Sequence, residues 1–420
     1  MSHTSKTMRH AQCYFVLLLF CYALAPFHRT APSVLAVDMI SDLAVSGGLI
    51  SVMGAMFFYP YAVMQIPAGV LADRLGARTT ITVFLGIAAC GTALFALAQN
   101  LFLISLGRAL VGLGTAMVFV PALRVILDWF PRRLHPFCTG TFLSLGTCGM
   151  FLATGPLALL TSATGWRWAM MLMAVLTAMT ALLCAVFLRN KPEDAGLPRC
   201  DVAMPSVSCS MSIKKSFAVI FRSRSYWCIS IWFFCLYGVF YTFSGLWAGP
   251  YLMQGYGFDK EHTAAVLMSI SAGAILGPTI YGIIMSVVKY SKKTLMIIAC
   301  LAALLLNTQL IIPKQILSFP IMLIWGFLFS IFVGGVGSLG LLKIQEDFDA
   351  DIVGTATGMV NIYTALGGGI LQTVSGIFMN FISISSNYNI MDYSHMFILF
   401  FIILLVALLA ALFCPKKQIT

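Results

Sequence analysis

Charge is what this 420-residue chain has least of. Only 9% of its residues are charged, 60% are hydrophobic, and the mean hydropathy is +0.95. Soluble proteins carry about 25% charged residues, so a water-facing globular surface cannot be built from this inventory. Acid is scarcer still, with 14 Asp and Glu against 25 Lys and Arg. The alternating ~10-residue segments of a β-barrel are absent, as is a Walker sequence for nucleotide binding. No Ser-His-Asp cluster, metal-ligand set or carboxylate pair can be assembled, so neither an enzyme nor a cofactor or metal site is expected. The twelve cysteines lack metal spacing and read as packing residues. The first apolar run, from Gln12, has no cleavage site after a short core and reads as a span rather than a leader.

What remains is apolar sequence in runs of ~20 residues, the length that crosses ~30 Å of hydrocarbon. Twelve spans are expected, at 11–37, 46–70, 79–98, 101–127, 138–163, 167–188, 226–251, 262–288, 294–312, 320–342, 353–381 and 395–414. The fold class is thus an all-α membrane protein. Basic residues fall on one set of connections, including Arg9, Arg74, Arg132, Arg133, Lys289, Lys292, Lys293, Lys416 and Lys417, with Arg189, Lys191, Arg199, Lys214, Lys215, Arg222 and Arg224 in the centre of the chain. The other set holds Arg167, Lys260 and Lys314. This asymmetry places both termini in the cytoplasm and explains the net charge of +11 without nucleic acid.

The longest polar stretch divides the chain into an N-terminal six-helix bundle (1–190), a cytoplasmic linker (191–225) and a C-terminal six-helix bundle (226–420). Landmarks recur across the division. Gly69 and Asp73 are followed 213 positions later by Gly282 and Ser286, and Gly140 and Thr147 are followed 214 positions later by Gly354 and Asn361. Parallel halves of this kind place a solute site between them near the membrane midplane.

Four segments carry a family resemblance. GVLADRLGART (69–79), between spans two and three, resembles the loop signature of the major facilitator superfamily. RALVGLGTA (108–116) resembles its fourth-span motif, ALRVILDWFPRR (122–133) the exit of that span, and NKPEDAGLP (190–198) the usual end of the N-terminal half. Ser286 stands where the second copy of the loop signature would have aspartate. The resemblance implies twelve transmembrane helices in two pseudo-symmetric six-helix bundles, with spans one and four lining a cavity. It also implies a gating role for Gly69, Asp73, Arg74, Gly76 and Arg78. Physically, the glycines permit close approach and a tight reversal. Asp73 can accept from a helix N-terminus, and the arginines can pair with acids or lipid phosphates.

Arg29 and Arg108 lie inside apolar runs, where a charge costs about 2.5–3.5 kcal/mol, and the sequence places no Asp or Glu in any span interior. Three readings stay open: solvation with bonds to backbone carbonyls, snorkelling, or an anion-binding role through the guanidinium fork. For Arg108 the motif favours a structural or coupling role. His28, beside Arg29, reads as a packed histidine before a proton carrier. Tyr59, Gln65, Tyr237, Tyr241, Asn361 and Gln372 are further candidate substrate-binding residues, because polar groups in a bilayer should face inward.

The expected function is secondary transport of a small anionic or zwitterionic organic solute (a carboxylate, amino acid, peptide or phosphate ester) by alternating access. A coupling proton or other ion and membrane lipids are the other partners, and the carrier is read as a monomer in the bacterial inner membrane. A drug/proton antiporter and a non-transporting solute sensor are the alternatives.

Overall fold

The computed structural model describes residues 3–198, 213–287, 290–312, 317–349, 352–382 and 388–415. Arg199, Lys289, Lys314, Lys416, Lys417 and much of the linker lie outside them. Twelve helical stretches are long and apolar enough to cross a membrane: Thr7–Thr30, Gly47–Gln65, Ala77–Leu97, Leu101–Trp129, Phe137–Thr164, Trp166–Phe187, Arg224–Gly255, Lys260–Val287, Lys292–Ile311, Phe319–Asp347, Val353–Ile382 and Ile390–Phe413. They are called spans one to twelve below. No strand occurs among the described residues, so the backbone hydrogen bonds of the described spans are made within helices, as lipid demands.

Several expected spans are not single rods. The apolar run 11–37 is two helices, His3–Thr30 and Pro32–Leu43, separated by a turn at Ala31. Pro32 has no amide hydrogen to continue the first helix, yet suits the first position of a new one. Span two is Gly47–Ala55 and Phe58–Leu75, broken at Met56 and Phe57. Span four breaks at Met117 and Val118, ahead of Pro121, and span five at Ala153 and Thr154, ahead of Pro156. Span seven contains two π-helical stretches, Phe243–Trp247 and Tyr251–Gly255, flanking Pro250, and span ten contains a third, Ser330–Gly334. Such irregularities are where long helices bend.

The chain forms two compact units. The first comprises Met1–Arg29, Met56–Leu152 and Leu160–Ser208. Its core interleaves Leu18 and Cys21 of span one, Ile81 and Leu85 of span three, Val125 and Trp129 of span four, Phe142 of span five and Cys184 of span six. Glycines bring backbones together here: a Cβ on Gly91 would lie 2.8 Å from the Gly107 carbonyl oxygen, so spans three and four touch main chain to main chain.

The second unit comprises Thr30–Ala55, Ala153–Leu159 and Cys209–Thr420. Gly238 of span seven meets Gly367 of span eleven, and Gly277 of span eight meets Gly335 of span ten. Phe243, Tyr251, Trp325, Phe329 and Phe397 form a ladder of ring contacts at centroid distances of 5.0–6.0 Å. Segment 30–55 is part of this unit. Asp38 accepts from Lys260 at 3.0 Å, the Ser51 hydroxyl donates to the Gln372 carbonyl, and Gly54 lies against the Gln372 side chain.

Candidate functional site

Arg29 occupies the last turn of His3–Thr30, just before the interruption at Ala31. Its guanidinium carbon lies 4.9 Å from the Tyr61 ring centroid and 5.9 Å from those of Phe57 and Phe58. Arg108, in span four, is 2% exposed. Its Nη1 donates to the His28 carbonyl oxygen at 2.6 Å, and its guanidinium carbon lies 5.1 Å from the same Phe57 ring. One phenylalanine thus serves two cations. A desolvated cation–π contact is worth up to about 2 kcal/mol, comparable with the insertion cost of the charge itself.

The arrangement depends on two backbone features. Phe57 stands in the break of span two, where its ring is turned toward spans one and four. Gly112, one turn along from Arg108, lies so close to Phe57 that a Cβ would collide with the Phe57 carbonyl oxygen. Only glycine lets spans two and four approach this far.

The carbonyl bond fits one of the three readings for a buried arginine, but it uses one nitrogen only. Nε and Nη2 of Arg108 are buried and have no hydrogen-bond partner among the described residues. These two N–H groups form one edge of the guanidinium plane, the edge that grips a carboxylate in bidentate fashion. No described carboxylate pairs with Arg108. His28, fully buried, faces Thr92 of span three at 3.5 Å through Nε2, while its Nδ1 is without a partner among the described residues.

The remaining candidates fall in both units. In the first, Tyr59 and Gln65 are half-buried, and the Gln65 Nε2 is buried without a described partner. In the second, Tyr237 and Tyr241 share a face as their spacing predicts, with ring centroids 5.5 Å apart. Asn361 is half-buried and accepts from Thr364 through its carbonyl at 2.7 Å. Gln372 is buried, and its Nε2 donates to the Tyr241 carbonyl at 2.9 Å.

The loop-signature residues stand where spans two and three join, but their partners differ from those expected. Asp73 accepts from the Arg124 side chain of span four, not from a helix N-terminus, and Arg124 also lies 4.0 Å from Asp128. Arg124 thus lies between two acids. Among the described residues Arg78 pairs with no acid. Its Nε donates at 2.9 Å to the Ala185 carbonyl, one of the carbonyls left open by the end of span six, and its backbone N–H donates to Asn190 Oδ1 at 2.8 Å. Gly76, at φ +79°, makes the tight reversal. Gly69 has open space where a Cβ would go, so no close approach explains it. Arg74 is exposed. Asp73, Arg74, Arg124, Asp128, Asn190 and Lys191 line a polar cavity of about 320 Å³.

A second charged cluster was not expected. Span ten continues to Asp347, past the residue 342 where the apolar run ends. Lys343 is 1% exposed and pairs with Asp347 one turn on, which also accepts from the Ser225 hydroxyl at the start of span seven; Lys292 bonds Glu346 at 2.6 Å. The Lys343–Asp347 pair repeats the four-residue spacing of Arg124–Asp128, 219 positions later. That repetition was the available signal.

Twelve membrane-length helices with buried cations among them have the architecture of a multi-pass membrane protein. The sequence profile of the Major Facilitator Superfamily matches residues 18–372, and the chain belongs to that family. It is 22% identical over 376 residues to a protein of Cupriavidus necator named "Probable sulfoacetate transporter SauU", covering 86% of each chain. It is 26% identical over 367 residues to the "Probable L-galactonate transporter" of Escherichia coli strain K12, covering 81% of this chain and 77% of the other. The crystal structure of the nucleoside transporter NupG superposes with a TM-score of 0.76 at 15% identity, covering 97% of this chain and 100% of that one. The shared fold is the twelve-span transporter fold.

Proposed function

We propose that this transporter carries a small organic anion by alternating access, and that Arg108, together with Arg29, receives the anionic group. The observation that carries the reading is the buried Nε–Nη2 edge of Arg108, two aligned donors with no acceptor among the described residues. Leaving such groups unsatisfied costs about 1–3 kcal/mol each, a cost an incoming carboxylate would offset. The names of the two relatives, for sulfoacetate and L-galactonate, also point to organic anions. Tyr59, Gln65, Tyr237, Tyr241, Asn361 and Gln372 are proposed as the polar groups that complete recognition, and Asp73 with Arg74 and Arg78 as the gating loop. Both termini in the cytoplasm fit the distribution of Lys and Arg; a monomer in the inner membrane of a bacterium is part of the same proposal.

The test is uptake into proteoliposomes of a panel of radiolabelled organic anions, with Arg108→Ala and Arg108→Lys. Wild-type protein should move at least one anion. Alanine should abolish that flux at unchanged protein level, and lysine should restore only part of it, because an ammonium lacks the planar fork. Uptake of cations alone, or full anion flux in the alanine variant, would overturn the proposal.

A further inference from the structure

The unpartnered groups at this site are not all donors. Thr92 Oγ1 donates to the Ala88 carbonyl at 2.8 Å, a shorter contact than the 3.5 Å to His28 Nε2. With its hydrogen committed there, Thr92 offers His28 a lone pair. Placing the imidazole hydrogen on Nε2 satisfies that contact, and in the neutral ring it leaves Nδ1 a bare acceptor. That acceptor is buried, has no described donor, and belongs to a side chain that is 0% exposed. It sits on the residue whose own carbonyl anchors Arg108. The contact pair thus holds a two-donor edge on Arg108 and a lone acceptor on His28, the residue that anchors it.

We infer that the cargo is a hydroxy-carboxylate: its carboxylate is taken by the Nε–Nη2 edge of Arg108 and a neighbouring hydroxyl donates to His28 Nδ1. This rests on the anion reading above and adds a requirement to it. A plain carboxylate satisfies the arginine and leaves the imidazole lone pair dry. A hydroxylated one satisfies both. Sites built to bond a hydroxyl discriminate strongly against analogues that lack it, because the site's own polar atom is left unpaired. Arg29, next in the helix and partly exposed, gives the anion its first positive contact.

The experiment is equilibrium binding to the purified full-length transporter of matched acids with and without hydroxyls: tartrate against succinate, lactate against propionate. Wild-type protein should favour the hydroxylated member of at least one pair on the order of tenfold. His28→Phe should erase that preference by weakening the hydroxy acid alone. His28→Asn should retain much of it, since Asn Oδ1 falls near the position of Nδ1. Equal affinity within each pair for the wild type would overturn the inference while leaving the anion reading intact, the acceptor then being met by a buried water. An unchanged preference in His28→Phe would overturn it as well. Should that variant not fold, the wild-type comparison and His28→Asn still decide. Binding of neither member of any pair, with Arg108→Ala indistinguishable from wild type, would instead sink the reading beneath it.

Discussion

At the scale of single residues, this transporter handles charge in two ways. Arg124 and Asp73 are half or more exposed and meet as an ion pair across a loop. Exposed pairs of this kind contribute little to stability, so their effect should fall on rates. Asp73→Asn is expected to leave the melting temperature of the detergent-solubilised protein unchanged while slowing exchange flux several-fold; unaltered flux would remove the gating role. Arg108 is the opposite case, sealed between a carbonyl and a ring. The sequence made Arg29 and Arg108 legible because a lone cation in an apolar run is costly. It did not expose Phe57, Phe58 or Tyr61 as their neighbours, since 32 phenylalanines offer no contrast and packing is their default role. Lys343 escaped notice for the reverse reason. Its charge looked like the edge of the membrane, whereas Asp347 four residues on neutralises it and allows the helix to continue. Removing one member of a buried pair typically costs 3–5 kcal/mol, and replacing both with apolar residues costs far less. Lys343→Ala should therefore lower the unfolding temperature clearly, and Lys343→Leu with Asp347→Leu should recover most of it.

At the scale of elements, the helices owe their contacts to glycine and their bends to interruptions. Gly112 is the sharpest example. Gly112→Leu should push span four away from Phe57, separate the ring from both guanidinium groups and destabilise the protein by a few kcal/mol, since overpacking against backbone has no flexible side chain to absorb it. Thermal unfolding would register this, and an equally stable variant would argue against the close approach. The existence and order of the spans could be read from hydropathy alone. Their discontinuities could be read only in part. Pro32, Pro121 and Pro156 are visible cues, but Met56–Phe57 is broken without a proline, by tertiary contacts that a local pattern does not encode.

At the scale of the molecule, the recurring landmarks predict a duplicated chain. The two halves have diverged where they might have been most alike. The first keeps an aspartate in the loop between spans two and three to meet Arg124. The second has Ser286 there and concentrates its charges on span ten, at Lys343, Glu346 and Asp347, against Ser225 and Lys292. The placement of basic residues predicts that reporter fusions at both ends will report a cytoplasmic location; an outer location for both would reverse the expected orientation, and for one alone would contradict an even number of spans. Hydropathy could not show that the chain crosses from one compact unit to the other inside spans one, two and five.

Three of those crossings, between Arg29 and Thr30, Ala55 and Met56, and Leu152 and Ala153, fall at or within two residues of helix interruptions, whereas the one between Leu159 and Leu160 lies inside the continuous helix Gly155–Thr164. A joint where the regular helix is already interrupted bends at lower cost than an unbroken rod. Spans one, two and five should therefore behave as elbows, and two conformers of this carrier should superpose limb by limb, with the torsional change gathered in a few residues at each bend.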